Sequence, residues 1–325
     1  MVCPVRSPTA HLANLDLNLL VTLRELLRER NVTRAAARIG VTQPAASASL
    51  SRLRRHFDDE LLVRRGGSYV LTPLAAQLAD QAEAVCTAAE RLFGAGRGFD
   101  PATARRGFTL LMADYTLAVL GSDLSAALAR NAPGVDLHVR LVREAFAADI
   151  GETIRLIDGM IAPPAARFDL PELRSVELFT DRWVCVMDAR NPVAAHGPPS
   201  CADLEAMTWV VPFQPDRGFS AAAPMTSQLV RLGLEPAMRV RVESYLAVPH
   251  LVAGTDRVAL IQERLAAQVA DRLGLVVLDC PGEPAPLRER LWWHADLDAD
   301  PANVWLRETL TGLGGRVDDG PDLAL

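Results

Sequence analysis

Residues 32–57 read VTRAAARIGVTQPAASASLSRLRRHF, and no other stretch restricts the fold of this chain as tightly. A helix-sized segment stops at a glycine, a short polar turn follows, and a second helix-sized segment ends in arginines. Thr33 reads as the N-cap of the first helix, and Gly40 as its stop, because glycine enters the left-handed region without a steric penalty. Thr42 reads as the cap of the second. Pro44 then falls in the first turn, where a missing N–H leaves nothing unsatisfied. Ala46, Leu50, Leu53 and Phe57 recur at helical spacing and predict the buried seam.

The opposite face of that helix carries Gln43, Ser47, Ala48, Ser51, Arg54 and Arg55. It has no acid before Asp58. Two readings compete, a structural helix pair and a helix-turn-helix that enters a DNA groove. A solvated structural face normally mixes both charge signs. Small residues let a helix approach base edges, Gln43 suits an adenine edge, and arginines grip phosphate, so the pattern favours the DNA reading. Upstream, DLNLLVTLRELLRER (16–30) places Leu20, Leu23 and Leu27 on one stripe flanked by Leu19 and Leu26, an amphipathic helix. Downstream, DDELLVRRGGSYVLTPLA (58–75) holds two short apolar runs around Gly66-Gly67, a hairpin signal. Arg64 and Arg65 lie on its first arm, where it reads as a basic wing or as a plain surface hairpin.

In this order and spacing, DLNLL, VTRAAARIGVTQPAASASLSRLR, DELLVRR and LTPLA (within 15–93) resemble the LysR-type transcriptional regulators. LWWHADLDADPANVWLRETL (291–310) resembles the effector-domain ending of the branch with nodulation and aromatic-catabolism regulators. The resemblance implies an α/β protein with an N-terminal all-α winged helix-turn-helix. It also implies a dimerising linker helix and an effector domain of two doubly wound, periplasmic-binding-protein-like subdomains. The implied partners are double-stranded DNA at an interrupted palindrome near a promoter, a small organic effector, a second copy through the linker helix, a further pairing to a homotetramer, and RNA polymerase. The expected DNA-contacting set is Thr33, Arg34, Gln43, Pro44, Ser47, Ala48, Ser51, Arg54, Arg55, Arg64 and Arg65. Two positions depart from the family pattern. Ala48 stands where many members carry a basic residue, which bears on base reading, and Leu62 stands where the wing usually has phenylalanine, which bears on packing.

Charge supports a split of roles. The 325-residue chain has a net charge of −6, yet residues 31–72 hold 7 arginines against 3 acids. A basic island on an acidic chain predicts one anion-binding module on a body that does not bind anions. Lysine is absent throughout, which reads as genome composition. The five cysteines are scattered without CxxC or ligand spacing, so no metal and no cofactor is expected. No window of about 18 apolar residues predicts a membrane span, and the first residues lack the apolar core of a signal peptide. The expected location is the cytoplasm.

In residues 73–93, Leu74, Leu78, Ala82, Val85, Ala89 and Leu92 predict a long helix with one alanine-rich seam, which needs a partner: a second subunit or its own domain. GAGRGFD opens a hinge over 94–104. Residues 105–313 alternate strand-like and helix-like runs, with strands at 108–112, 135–139, 159–162, 174–179, 183–187, 209–211, 239–242, 258–261 and 275–278. That is an α/β pattern with mostly parallel sheets; a tail follows at 314–325. The expected domains are thus 1–72, 73–93, 94–104, 105–313 and 314–325. Ligands in such folds sit at carboxyl ends of strands and helix N-termini. This points to Asp114, Tyr115 and Thr116, to Phe213 and Gln214, and to Ser244 and Tyr245 as effector-binding candidates. The GxSxG, P-loop and HExxH patterns are missing, so an enzyme is not expected. The function expected is a sequence-specific DNA-binding regulator switched by a small molecule. The alternative is an effector-binding α/β enzyme or solute-binding protein with a helical cap.

Overall fold

The computed structural model describes residues 16–94, 98–141, 150–212, 224–235 and 237–318. The chain divides into two units, Met1–Arg97 and Gly98–Leu325.

The first unit opens with helix α1 (Leu17–Glu29), started by the Asp16 side chain and ended by Arg30 in the left-handed region. Helix α2 (Val32–Ile39) is capped by Asn31, whose Oδ1 accepts from the Arg34 amide at 3.0 Å. This corrects the expected cap: Thr33 lies inside the first turn. Gly40, at φ +78°, ends α2 as predicted. Helix α3 (Gln43–Phe57) starts at Thr42, whose Oγ1 accepts from the Ala45 amide, with Pro44 in its first turn. Strands β1 (Leu62–Arg65) and β2 (Ser68–Leu71) form an antiparallel hairpin that pairs Arg65 with Ser68. Gly66 and Gly67 both have positive φ, +54° and +89°, as a two-residue type I′ turn requires. Helix α4 (Pro73–Gly94) follows. Thr72 joins it to the preceding loop, accepting from the Ala75 amide and donating to Asp59.

The core of this unit is Leu23, Leu26 and Leu27 of α1, Ala35 of α2, Leu50 and Leu53 of α3, with Leu61 and Leu62. Burying one such leucine stabilises by roughly 1.5–3 kcal/mol. Ala75 and Ala82 of α4 belong to the same core, and Leu78 and Ala79 pack against it. The expected single seam of α4 is therefore split. Leu78 and Ala82 face their own module, whereas Val85 is 51% exposed. The side chain of Leu92 lies outside the described residues.

The second unit runs β3 (Gly107–Met112), α5 (Asp114–Asn131), β4 (Asp136–Leu141), α6 (Ile150–Arg155), β5 (Gly159–Ala162), β6 (Leu173–Asp181), β7 (Trp183–Asp188), α7 (Cys201–Ala206), β8 (Thr208–Pro212), α8 (Pro224–Arg231), β9 (Ala237–Val242), α9 (Val248–Val252), β10 (Val258–Gln262), α10 (Glu263–Leu273), β11 (Leu275–Asp279), β12 (Leu287–His294) and α11 (Pro301–Asp318). All nine predicted strands form. Their pairing builds two five-stranded sheets, ordered β4-β3-β5-β12-β6 and β11-β7-β10-β8-β9. Each sheet contains two parallel and two antiparallel pairings. Four strands of each sheet thus share one direction, as the mostly parallel pattern predicts, and a single strand, β12 or β7, runs against them.

The reason is topological. The chain passes from the first sheet to the second at Arg182, between β6 and β7, and returns between β11 and β12. Each sheet thus accepts strands that arrive across the molecule and run against its parallel set. Strand β12 was not predicted. Its sequence LRERLWWH interrupts the apolar alternation with Glu289, which the fold nevertheless buries. Close packing closes the first lobe: a Cβ on Gly314 of α11 would lie 2.2 Å from the Leu178 carbonyl oxygen of β6.

Candidate nucleic-acid interface and interlobe site

In the first unit, the amphipathic spacing of α3 turns its leucines inward and leaves a polar face outward. Gln43, Pro44, Ala48, Ser51 and Arg55 are exposed, and Ser47 is half-buried. Gln43 Nε2 donates to Ser47 Oγ at 3.1 Å, and Ser51 Oγ donates to the Ser47 carbonyl at 3.1 Å. These local bonds hold the polar ends in place and can be exchanged for external partners at little cost. Thr33 and Arg34 are exposed on α2.

The arginines differ in how far they are committed. Arg34 is tied back to Glu29, its Nε 2.8 Å from Oε2 and its Nη2 2.6 Å from the Glu29 carbonyl. Arg54 braces α3 to the start of the hairpin, its Nε donating to the Glu60 carbonyl at 2.8 Å and its Nη2 to the Leu62 carbonyl at 3.0 Å. By contrast, Arg55, Arg64 and Arg65 are exposed, and among the described residues no acid pairs with them. Sequence reasoning treated all five as equivalent. Arg54 instead sets where the hairpin stands, and Arg55, Arg64 and Arg65 remain as open positive charge. Sequence reasoning also missed Glu25, which is 5% exposed and holds Arg38 Nε at 3.0 Å.

In the second unit, helix α5 begins where β3 ends, so its first residues stand at the carboxyl edge of a sheet. Asp114 reaches from this lobe to the other. One carboxylate oxygen accepts from Ser244 Oγ at 2.6 Å and the Leu246 amide at 3.2 Å. The other accepts from the Tyr245 amide at 3.1 Å. Two of the predicted clusters therefore meet, with Asp114 clasping the lobes between them. Tyr115 donates through its hydroxyl to Asp181 at the end of β6. Thr116 Oγ1 lies 3.4 Å from Glu289 Oε1 on β12. Phe213 and Gln214 lie outside the described residues.

Asp181 and Glu289 are the members that sequence reasoning missed. The register of β12 against β6 sets Leu287 opposite Asp181 and Glu289 opposite Phe179, which places the two acids one diagonal step apart on the same face. Both are buried. Burial pushes the Glu289 carboxyl up to about 8, with the Thr116 hydroxyl opposing and the Asp181 charge adding to the rise. Burial also raises Asp181, against the opposing bond from Tyr115. Tyr115 and Tyr245 are both pushed up, first by burial, then by the neighbouring acids. The only advance signal was a single Glu at an inward position of LRERL.

Among the described residues no group of three or more His, Cys, Asp or Glu is placed to hold a metal ion, and no helix is long and apolar enough to cross a membrane.

Comparison with known proteins bears on both units. The profile "Bacterial regulatory helix-turn-helix protein, lysR family" matches residues 17–76, and "LysR substrate binding domain" matches residues 108–314. The regulator SyrM of Rhizobium meliloti is 33% identical over 299 residues, covering 91% of this chain and 88% of SyrM. Nodulation protein D 2 of Rhizobium tropici is 30% identical over 308 residues, covering 91% and 92%. The crystal structure of the probable transcriptional regulator PA0477 from Pseudomonas aeruginosa superimposes with a TM-score of 0.74 at 29% identity, covering 93% of this chain and 98% of that one.

Proposed function

The chain belongs to the LysR family of bacterial transcriptional regulators, and from that premise we propose how its residues divide the work. It is a DNA-binding regulator with an effector-binding domain. Its relatives are regulators rather than enzymes, so the enzyme and solute-binding readings fall away. In our reading the DNA surface is the acid-free face of α3 with the hairpin as wing. Gln43 and Ser47 meet base edges, Pro44, Ala48 and Ser51 allow the close approach, and Arg55, Arg64 and Arg65 meet phosphates. Thr33 and Arg34 flank the surface, and Arg54 positions the wing. One observation carries this reading: three exposed arginines, without acidic partners among the described residues, accompany a helix face without acids.

The effector site in this reading is the junction of Asp114, Tyr115 and Thr116 with Ser244 and Tyr245, with Phe213 and Gln214 kept from the sequence as further members. The functional divisions follow the sequence expectation of DNA binding in 1–72, assembly in 73–93, a hinge in 94–104 and effector binding from 105, with one correction: 314–318 continues α11, where Gly314 packs on Leu178 and Asp318 accepts from the Thr180 amide, so the effector unit reaches 318 rather than giving way to a tail at 314. A homodimer formed through α4 addresses an interrupted palindrome near a promoter, further pairing gives a tetramer, and RNA polymerase is the partner at the promoter. The site of action is the cytoplasm.

The test is quantitative binding to the DNA flanking the gene. Replacing Arg64 and Arg65 together by alanine should weaken binding to every sequence and lower the salt slope by about two, since each phosphate contact contributes about 0.9. Replacing Gln43 by alanine should instead cost discrimination between operator and random DNA, about 1–3 kcal/mol for a lost bidentate base contact. An unchanged salt slope in the double variant overturns the wing assignment.

A further inference from the structure

The sequence scatters its five cysteines, but the fold brings two of them together. Cys185 lies within β7, opposite Leu278 of β11. Cys280 stands two positions beyond Leu278, so the pleat returns it to the face that Cys185 occupies. There the two thiols meet, and the Cys185 thiol donates to the Cys280 sulfur. Both are free thiols; Cys185 is fully buried and Cys280 is half-buried. The bond makes them unequal. It pulls the Cys280 thiol below the ordinary thiol value, against the effect of burial, and together with burial it pushes Cys185 up. The thiolate is the reactive form, so the more accessible cysteine is the better nucleophile and the sheltered one stands behind it.

The pair also occupies a joint of the chain. Cys280 is the first residue of the passage by which the chain returns from β11 to β12 and the first sheet. Its neighbour Asp279 accepts from Arg182 Nη1 at 2.6 Å, and Arg182 is the residue of the outward passage, between β6 and β7. That tie is an exposed ion pair, which contributes little. Strand β11 is itself an edge strand, paired with β7 alone, and edge pairings open locally at small cost.

We propose that Cys185 and Cys280 form a dithiol that hydrogen peroxide oxidises to a disulfide, fastening β11 and the return passage to β7. The Cys280 thiolate attacks one peroxide oxygen, the O–O bond breaks, and the departing hydroxide takes the thiol proton as water, leaving a sulfenic acid. Cys185 then attacks the sulfenic sulfur. The S–S bond forms, the S–O bond breaks, and the hydroxyl leaves with the Cys185 proton as a second water. Two thiols lose two electrons and the peroxide gains them. Cys185 needs no access to solvent, because its partner is already in contact.

The test treats the reduced full chain with one equivalent of hydrogen peroxide, alkylates the remaining thiols and maps the peptides by mass spectrometry without reductant. Two of the five thiols should be lost, the peptides of Cys185 and Cys280 should be joined, and dithiothreitol should restore both. Cys185→Ser should leave Cys280 as a sulfenic acid that dimedone traps. Cys201→Ser should oxidise like the parent, although Cys201 is exposed at the start of α7. Amide exchange within β11 should slow at least ten-fold in the oxidised chain. The linkage is read on the parent, so it stands even where a serine variant fails to fold. A parent chain that keeps both thiols, or that joins Cys280 to Cys201 instead, overturns the pair. A Cys185–Cys280 disulfide that leaves β11 exchange unchanged overturns the fastening while the oxidation stands.

Discussion

Glu289 is an acid that folding removes from water, and this makes it a reporter of the interlobe junction. Its ordinary value is 4.5, and burial raises it to about 8. Between those values the unfolded chain has released the proton while the folded chain still holds it. The folded state then binds more protons, so this residue makes stability fall as pH rises from 4.5 towards 8, with no further loss above. At 1.36 kcal/mol per unit the effect reaches up to roughly 5 kcal/mol. Glu289→Gln removes the titration. The variant should match the parent at pH 4.5 and exceed it increasingly up to pH 8 in urea unfolding of the effector unit. Parallel pH profiles for the two proteins would show that Glu289 titrates normally. Asp114 makes the complementary case. Its carboxylate is satisfied by four donors, three of them across the lobes, so in this structure it holds the two lobes together.

The helices and strands show which signals are local. Helix α2 is capped by Asn31, and Asn31→Ala should destabilise the first unit by about 1 kcal/mol, the usual worth of a side-chain cap. Thr33→Ala, exposed inside the first turn, should change stability by less than half of that; a larger loss in a thermal melt would return the cap to Thr33. The two candidates lie two residues apart and both belong to cap-forming types, so composition alone could not choose. The helix pair, the hairpin and nine strands were legible, because periodicity and turn glycines act within a few residues. Strand β12 was not, since its identity depends on two partner strands that bury Glu289 against the alternation. The site was legible only in part for the same reason. Residues 114–116 and 244–245 stand at strand-to-helix junctions visible in sequence, but Asp181 and Glu289 join them only through the crossovers. Arg54 braces α3 to the hairpin through the Glu60 and Leu62 carbonyls, which sequence does not display, and through the Glu60 carboxylate at 3.0 Å.

Charge and assembly belong to the whole chain. Residues 1–93 carry 12 arginines against 9 acids, and the rest 22 against 31, so DNA attraction is confined to one end while the remainder repels it. One such module covers a single half-site, and a modest interface seldom gives regulatory affinity, which is why the proposed dimer matters. Helix α4 has 22 residues, about 33 Å at 1.5 Å per residue. Its Ala75, Leu78, Ala79 and Ala82 are already used by their own module, so a glutamate at Leu78 would damage that core and report nothing about assembly. Val85 is different: it is half exposed, and an apolar side chain there gains by facing its copy. Val85→Glu would set two like charges across the two-fold axis, where they cannot both stay charged without cost. The variant should sediment as a monomer, keep the melting behaviour of the DNA-binding unit, and lose at least ten-fold in operator affinity while retaining weak half-site binding. A Val85→Glu protein that stays dimeric by light scattering and still protects both half-sites would place the dimer joint outside α4.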